Sequence, residues 1–241
     1  MFLIKKNTIQ IDIASLKCYN TLRVNKPNRQ TGKEKIKMKN SKAVFAGVAL
    51  SAIMIFSGCG NSVEKVEYTH GTVSGTTYTN EMIGAKADFG DGWTYFSDED
   101  IASMNGISDF TKENTDKAFS TNGVVYDMYV ANADNENLNV LLEDLTRSNN
   151  ASLDEQGYVD AAIGDLKTQL ETQFTVDSLE QEKITFLGSE VPCVKITLDV
   201  SGTKLYEYQT YKKVGQYMCV FTATALSAES AEEIIGKFTA A

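Results

Sequence analysis

The chain has 241 residues, with 23 Lys and Arg, 32 Asp and Glu, one His and four Cys. At 42% hydrophobic and 23% charged it has the composition of a folded protein and not of a disordered one. Its single His, His70, excludes His-rich zinc sites and the paired-His metalloprotease motif, and a net charge of −9 argues against nucleic acid as a partner.

That charge averages two unlike pieces. Residues 1–58 carry eleven Lys and Arg but only two acids, Asp12 and Glu34, which leaves a net charge of −18 on residues 59–241. A basic leader precedes an acidic body, and the two are read separately.

Met38-Lys39-Asn40-Ser41-Lys42 is a short positive head, followed by the uncharged run Ala43 to Phe56 and then Ser57-Gly58-Cys59. Fourteen helical residues rise about 21 Å, short of a hydrocarbon core of roughly 30 Å, so the run reads as a secretory segment and not as a permanent span. Phe56-Ser57-Gly58-Cys59 resembles the lipobox of bacterial lipoproteins, with Phe56 in place of the usual Leu. The resemblance implies diacylglyceryl transfer to the Cys59 sulfur and cleavage after Gly58, which makes Cys59 the lipid-attachment residue. Residues 1–37 are polar, basic and unpatterned. Lys33-Glu34 can be encoded by a ribosome-binding sequence just upstream of Met38, so Met38 is the expected initiator and residues 1–37 a mis-assigned extension. Residues 38–58 are then the signal peptide.

Gly60 to Thr77 is rich in Gly, Ser and Thr and reads as a tether ending in an entry strand, with residues 59–77 outside the folded domain and His70 a solvated linker residue. The domain is expected over 78–241. Met82 to Phe89 and Trp93 to Phe96 are strand candidates around Gly90-Asp91-Gly92, and Ser97-Asp98-Glu99-Asp100 opens a helix with Ile101 and Met104 inward. Val124 to Val130 and Leu138 to Leu142 read as strands around Asn132-Ala133-Asp134-Asn135-Glu136-Asn137. That loop has some look of a calcium loop, with Asn132, Asp134, Glu136 and Glu143 at the ligand positions; a polar hairpin loop is the plainer reading. Ser152-Leu153-Asp154-Glu155 reads as a capping box opening the longest helix, whose stripe Tyr158, Ala162, Leu166, Leu170 and Phe174 faces inward, widened by Val159 and Ile163. Ser178 to Leu187, Val191 to Val200, Thr203 to Lys213 and Gln216 to Thr224 read as strands, the last three an antiparallel meander. Ser227 caps a closing helix with Ala231, Ile234, Ile235 and Phe238 inward. The order predicts an α+β domain of layered helices and antiparallel sheet.

Tyr78-Thr79-Asn80 with Gly84, the Gly90-Asp91-Gly92-Trp93 turn and Ser97-Asp98-Glu99 resemble the opening of PsbP-like and DcrB-like domains, although Gly90 or Asp91 stands where a Pro is common. Tyr126-Asp127-Met128 and Asn137-Leu138-Asn139-Val140 resemble the middle strands of their relatives among Gram-positive lipoproteins. The resemblance spans Tyr78 to Phe238, implies an antiparallel sheet sandwiched by helices, and transfers no catalytic residue.

Chemistry is sparse. Gly106-Ile107-Ser108-Asp109-Phe110 is the nearest approach to a nucleophile elbow and lacks the closing Gly and a His base. Tyr206 and Tyr208 share one strand face and Tyr211 takes the other; they and Trp93 read as core packing. No catalytic, metal or cofactor site is expected, and the membrane lipid on Cys59 is the one partner named. Three functions remain open: a lipid-anchored binding or assembly module with an unknown protein or small-molecule partner, a carboxylate-based hydrolase, and a transporter's ligand-capture subunit. A pocket holding several acids with raised pKa values would favour the hydrolase. Cys193 and Cys219, on the first and third strands of the meander, are expected as free thiols, because two strand spacings exceed disulfide reach.

Overall fold

The computed structural model describes residues 64–148 and 150–241. Two antiparallel sheets carry the fold. The larger has seven strands: β4 (Trp93–Tyr95), β5 (Val124–Asn132), β6 (Asn137–Asp144), β7 (Thr175–Phe186), β8 (Ser189–Val200), β9 (Thr203–Val214) and β10 (Tyr217–Ala225). Their order is β4-β5-β6-β10-β9-β8-β7, so the expected meander is there and extends by one strand to β7. The smaller sheet joins β1 (Thr72–Ser74), β2 (Thr77–Asn80), β3 (Ala85–Asp88) and a C-terminal β11 (Phe238–Ala240) in the order β1-β2-β3-β11.

Four helices complete the described residues: α1 (Asp98–Met104), α2 (Lys112–Asn122), α3 (Glu155–Glu171) and α4 (Ala228–Gly236). Ala118 and Phe119 of α2, Ala231, Ile234 and Ile235 of α4, and Tyr78, Ala85 and Ala87 of the small sheet pack on one face of the large sheet. Phe186, Phe221 and Phe238 meet there with ring centroids 4.8 to 5.8 Å apart, a geometry that adds to their area burial. Helix α3 lies on the other face over β7, β8 and β9, with Tyr158, Val159, Ala162, Leu166 and Leu170 buried. The antiparallel sheet is thus held between helices.

Several expectations are corrected in detail. Met104 is 41% exposed, because α1 ends there and only Ile101 and Ala102 face inward. The cap of α3 is Asp154, which accepts from the Gly157 backbone N–H; the proposed box at Ser152 lies before the helix. Phe238 leaves α4 and enters β11, where it remains buried through pairing with Ala87. Ser227 does cap α4, accepting from Ser230, and Ser97 and Asp100 form a full capping box on α1.

The largest correction concerns the expected tether. From Val66 onward the chain is packed against the domain. Gln216 grips the Val66 backbone from both sides, accepting from its N–H at 2.7 Å and donating to its carbonyl at 2.8 Å. Gly215 beneath has a positive φ of 55°, and a Cβ there would come within 2.6 Å of Val66, so Gly is required twice over. Thr72–Ser74 then pairs with β2. Polar composition hid a strap. The readings placed on residues 1–37, 38–58 and Cys59 lie outside the described residues.

Cys193 and Cys219 are both buried and unbridged. They sit on β8 and β10 with β9 between, and burial pushes the Cys193 thiol up to about 12 and the Cys219 thiol well above its ordinary value, so neither presents a reactive thiolate near neutrality. Alkylation of the native protein should leave both unmodified, while alkylation after denaturation without reductant should label both. A cystine recovered by non-reducing mass mapping would contradict the strand order.

Candidate functional site

Two polar arrangements stand out inside this framework. The first centres on Asp127. The β5–β6 pairing slips between Tyr126 and Met128, so Asp127 is the extra residue of a β-bulge, a device that re-aims a side chain. Its carboxylate is turned inward and fully buried. Oδ1 accepts from Tyr68 Oη at 2.6 Å and from the Gly71 N–H at 3.1 Å, with His70 Nδ1 also 3.1 Å away. Oδ2 accepts from Tyr78 Oη at 2.5 Å and Asn80 Nδ2 at 3.0 Å. Three of these donors, Tyr68, His70 and Gly71, lie on the strap.

The electrostatics follow from that crowd of donors. Burial pushes the Asp127 carboxyl up, but the hydrogen bond and charge of His70 and the two tyrosine hydroxyls outweigh it and hold it below the ordinary 3.8. His70 goes the opposite way: burial lowers it, while Asp127 and then Asp98 raise it to a net position above 6.5. Its ring stacks on Phe110 at 3.6 Å and 4°, and Nε2 lies 3.4 Å from Asp98. The reading of His70 as a solvated linker residue is therefore overturned; its partners are distant in sequence, and a lone His gave no hint of them. Close approach also fixes Gly71, where a Cβ would fall 2.4 Å from the Tyr78 ring and 2.7 Å from Asp127 Oδ2.

The second arrangement lies on the α3 side of the large sheet. Cross-strand register places Asn139, Thr222 and Gln209 in one row and Asn137, Thr224 and Glu207 in the next, on β6, β10 and β9. Six polar side chains form a two-by-three grid on three adjacent central strands. All six are at most 3% exposed. Along β9, Tyr211 Oη donates to Gln209 Oε1 at 2.9 Å and Gln209 Nε2 donates to Glu207 Oε1 at 2.7 Å. Elsewhere the grid is unpaired: Asn137 Oδ1, both amide atoms of Asn139 and Thr224 Oγ1 have no hydrogen-bond partner. Each such group typically costs about 1–3 kcal/mol, so this face gives up stability to keep polar atoms in place.

Two carboxyls on this face are shifted by burial. Glu207 is pushed up to about 8 and Glu143 to about 7, the latter against the pull of a 2.6 Å hydrogen bond from Tyr158. They are not a pair. Glu143 lies level with Lys213 through Met218, and Glu207 is six residues further along β9, a separation of about 20 Å. General acid and base carboxyls work within roughly 10 Å of one another.

The other sequence candidates resolve into structural roles. Asn132 Oδ1 accepts from the Asp134 and Glu136 backbone N–H groups, which closes a tight hairpin loop with Asn135 at φ 66°. Glu143 sits at the far end of β6, about 20 Å from that loop, so the calcium-loop spacing does not come together. Among the described residues no group of three His, Cys, Asp or Glu is placed to hold a metal ion. Ser108 and Asp109 bind Asn114 and organise the start of α2; hydrogen bonds from Thr111 and then Asn114 hold Asp109 down to about 2. Tyr208 joins the main core under the ammonium of Lys195, Tyr211 packs on Tyr158 across the other face, and Trp93 packs on Phe89.

Neither arrangement was named from sequence as a site. The grid's signal is the polar member of each alternating pair in β6, β9 and β10, which normally marks a solvent face. The structure buries all six of them instead.

No protein-family model matches the chain, and no curated protein matches it. Among solved structures, a Bacteroides thetaiotaomicron protein overlays 70% of this chain at 17% identity and a TM-score of 0.36, and the chain spans about half (49%) of that protein. LpqN, involved in cell envelope biogenesis of Mycobacterium tuberculosis, overlays 64% of this chain and 82% of its own at 11% identity and a TM-score of 0.37. Cyanobacterial PsbP (CyanoP) from Synechocystis overlays 77% of this chain and 98% of its own at 13% identity and a TM-score of 0.38.

Proposed function

We propose that the chain is a lipid-anchored, extracytoplasmic binding or assembly module without catalytic activity. The observation that carries this reading is the leader: a positive head, 14 uncharged residues and Phe56-Ser57-Gly58-Cys59, set in front of a strongly acidic body. Among the described residues no helix is long and apolar enough to cross a membrane. Separation of the two raised carboxyls by about 20 Å favours binding over acid/base hydrolysis. So does His70, whose two ring nitrogens face carboxylates and not a nucleophile.

Fractionation of cells expressing Cys59→Ala tests the reading. The body carries a net charge of −18, so an anionic membrane surface repels it and acyl chains must do the holding, at about 0.8 kcal/mol per buried CH₂. The expected result is a mature-length Cys59→Ala protein in the soluble fraction with an unchanged unfolding midpoint, against a wild type that pellets and incorporates labelled fatty acid. A mature-length variant that still pelleted would point to a membrane-bound partner as the attachment.

A further inference from the structure

We infer that the strap, Val66 to Ser74, is a proton-dependent latch: it is closed while His70 is an imidazolium bridging Asp127 and Asp98, and it opens ahead of the rest of the domain once His70 is neutral.

Donor counting at His70 carries the argument. Nδ1 lies 3.1 Å from Asp127 Oδ1, and Nε2 lies 3.4 Å from Asp98 Oδ1. A carboxylate only accepts, so both contacts are hydrogen bonds only when both ring nitrogens carry a proton. The neutral ring has one N–H, and its other nitrogen then turns a lone pair toward a carboxylate oxygen. That loss is felt at a charge that water screens little. The Asp127 side chain is fully buried, and of the groups bonded to it (Tyr68, His70, Gly71, Tyr78 and Asn80) only His70 can be positive.

The other groups around the ring do not share this step. Burial and Asp127 hold the hydroxyls of Tyr68, on the strap, and Tyr78, on β2, far above 10. Asp98 opens α1, and Phe110, which stacks on the ring from the segment before α2, is uncharged. The direction follows. The folded ring stands above 6.5, so closure is strongest below that pH and weakens as pH rises through the folded value.

The strap opens first because it is held at few points. Apart from the Asp127 cluster these are the Gln216 grip on Val66, the edge contact of Tyr68 with Phe119 at 5.5 Å, and a surface ion pair of Glu67 with Lys112 at 4.0 Å. All three residues of β1 are exposed. Segments with so little buried apolar contact open below the free energy of global unfolding. Under the proposed acylation of Cys59, opening lengthens the free chain ahead of β2 from six residues to seventeen, a reach of about 60 Å. That consequence rests on the reading of the chain as anchored; the latch does not.

His70 is the single His of the chain, so its ring protons report its titration by NMR without ambiguity. The test follows that titration and the hydrogen exchange of residues 66–74, corrected for intrinsic rates, between pH 5.5 and 8.5 on the full gene product in mild detergent. Protection of the strap is expected to fall at least about threefold across the range, with the midpoint of the His70 titration, and its amides to exchange ahead of those of β10. Asp98→Asn, a change at an exposed side chain, should lower the His70 midpoint and carry the fall in protection with it. His70→Gln should abolish the fall; Asp98→Asn keeps the proposal testable should that variant fail to fold. Protection that stays flat, a strap that exchanges only together with β10, the same fall in His70→Gln, or a midpoint that Asp98→Asn leaves unmoved overturns the latch. A strap that opens with His70 in a protein that is not anchored refutes the reading above alone; an anchored protein whose strap ignores pH refutes this inference alone.

Discussion

Asp127→Ala is expected to destabilise the domain by about 3–5 kcal/mol, the range for removing one partner from a buried charged network. The carboxylate is the common acceptor for Tyr68, His70, Gly71, Tyr78 and Asn80, and without it those donors turn toward a cavity in the interior. The loss does not stay local. Tyr68 and Gly71 belong to the strap and Tyr78 and Asn80 to β2, so one side chain ties the strap and the small sheet to the large one. At roughly 2–4 °C per kcal/mol for a domain of this size, the thermal midpoint should fall by about 6–20 °C. Asp127→Asn should be milder but still clearly destabilising, because its Nδ2 would face donors. A midpoint within about 2 °C of wild type for Asp127→Ala would show that the strap is held by something else.

Glu207→Gln is expected to stabilise the protein increasingly as pH rises, by a few kcal/mol at pH 8.5 and by little at pH 4.5. In the folded chain Glu207 stands at about 8 against an ordinary 4.5. Between those values the native state holds a proton that the unfolded state has released. The unfolded state binds fewer protons there, so wild-type stability falls with rising pH and levels off above about 8. Glu143, at about 7, adds to the same decline. His70 does too: its folded position is raised above 6.5, so its stabilisation is complete below that pH and is lost as pH rises through the folded value. Both contributions persist in the variant, and the difference between the two pH profiles isolates Glu207. Urea unfolding at pH 4.5, 5.5, 6.5, 7.5 and 8.5 reads it. Parallel profiles would mean that Glu207 titrates alike in the folded and unfolded states.

These two residues also mark where sequence reasoning succeeds and fails. Alternating strands, the Ser97 and Ser227 caps and the meander are local features, written in period and turn chemistry, and the α+β sheet between helices follows from them. Asp127 was visible only as a polar residue in a strand. Its importance comes from a bulge, which no period announces, and from donors 47 to 59 residues away. The strap was misread for a related reason: Gly, Ser and Thr suggest a linker, but a side-chain amide 150 residues downstream fixes the Val66 backbone. Glu207 and Asn139 fall within the expected strands Thr203 to Lys213 and Leu138 to Leu142, as polar members of an alternating pattern. Both are buried in the structure, which period alone does not announce.

The grip of Gln216 on Val66 has a consequence for heading. Under the proposed acylation of Cys59, only six residues lie between the anchor and Val66, at most about 25 Å of chain, whereas a domain of this size is about 40 Å across. An anchor that close would hold the β9–β10 turn toward the lipid surface. The grid lies toward the opposite end of the same strands, with Thr224 eight residues up β10 from Gln216, an altitude of about 27 Å. Under the proposed anchoring, that end of the sheet would face away from the lipid.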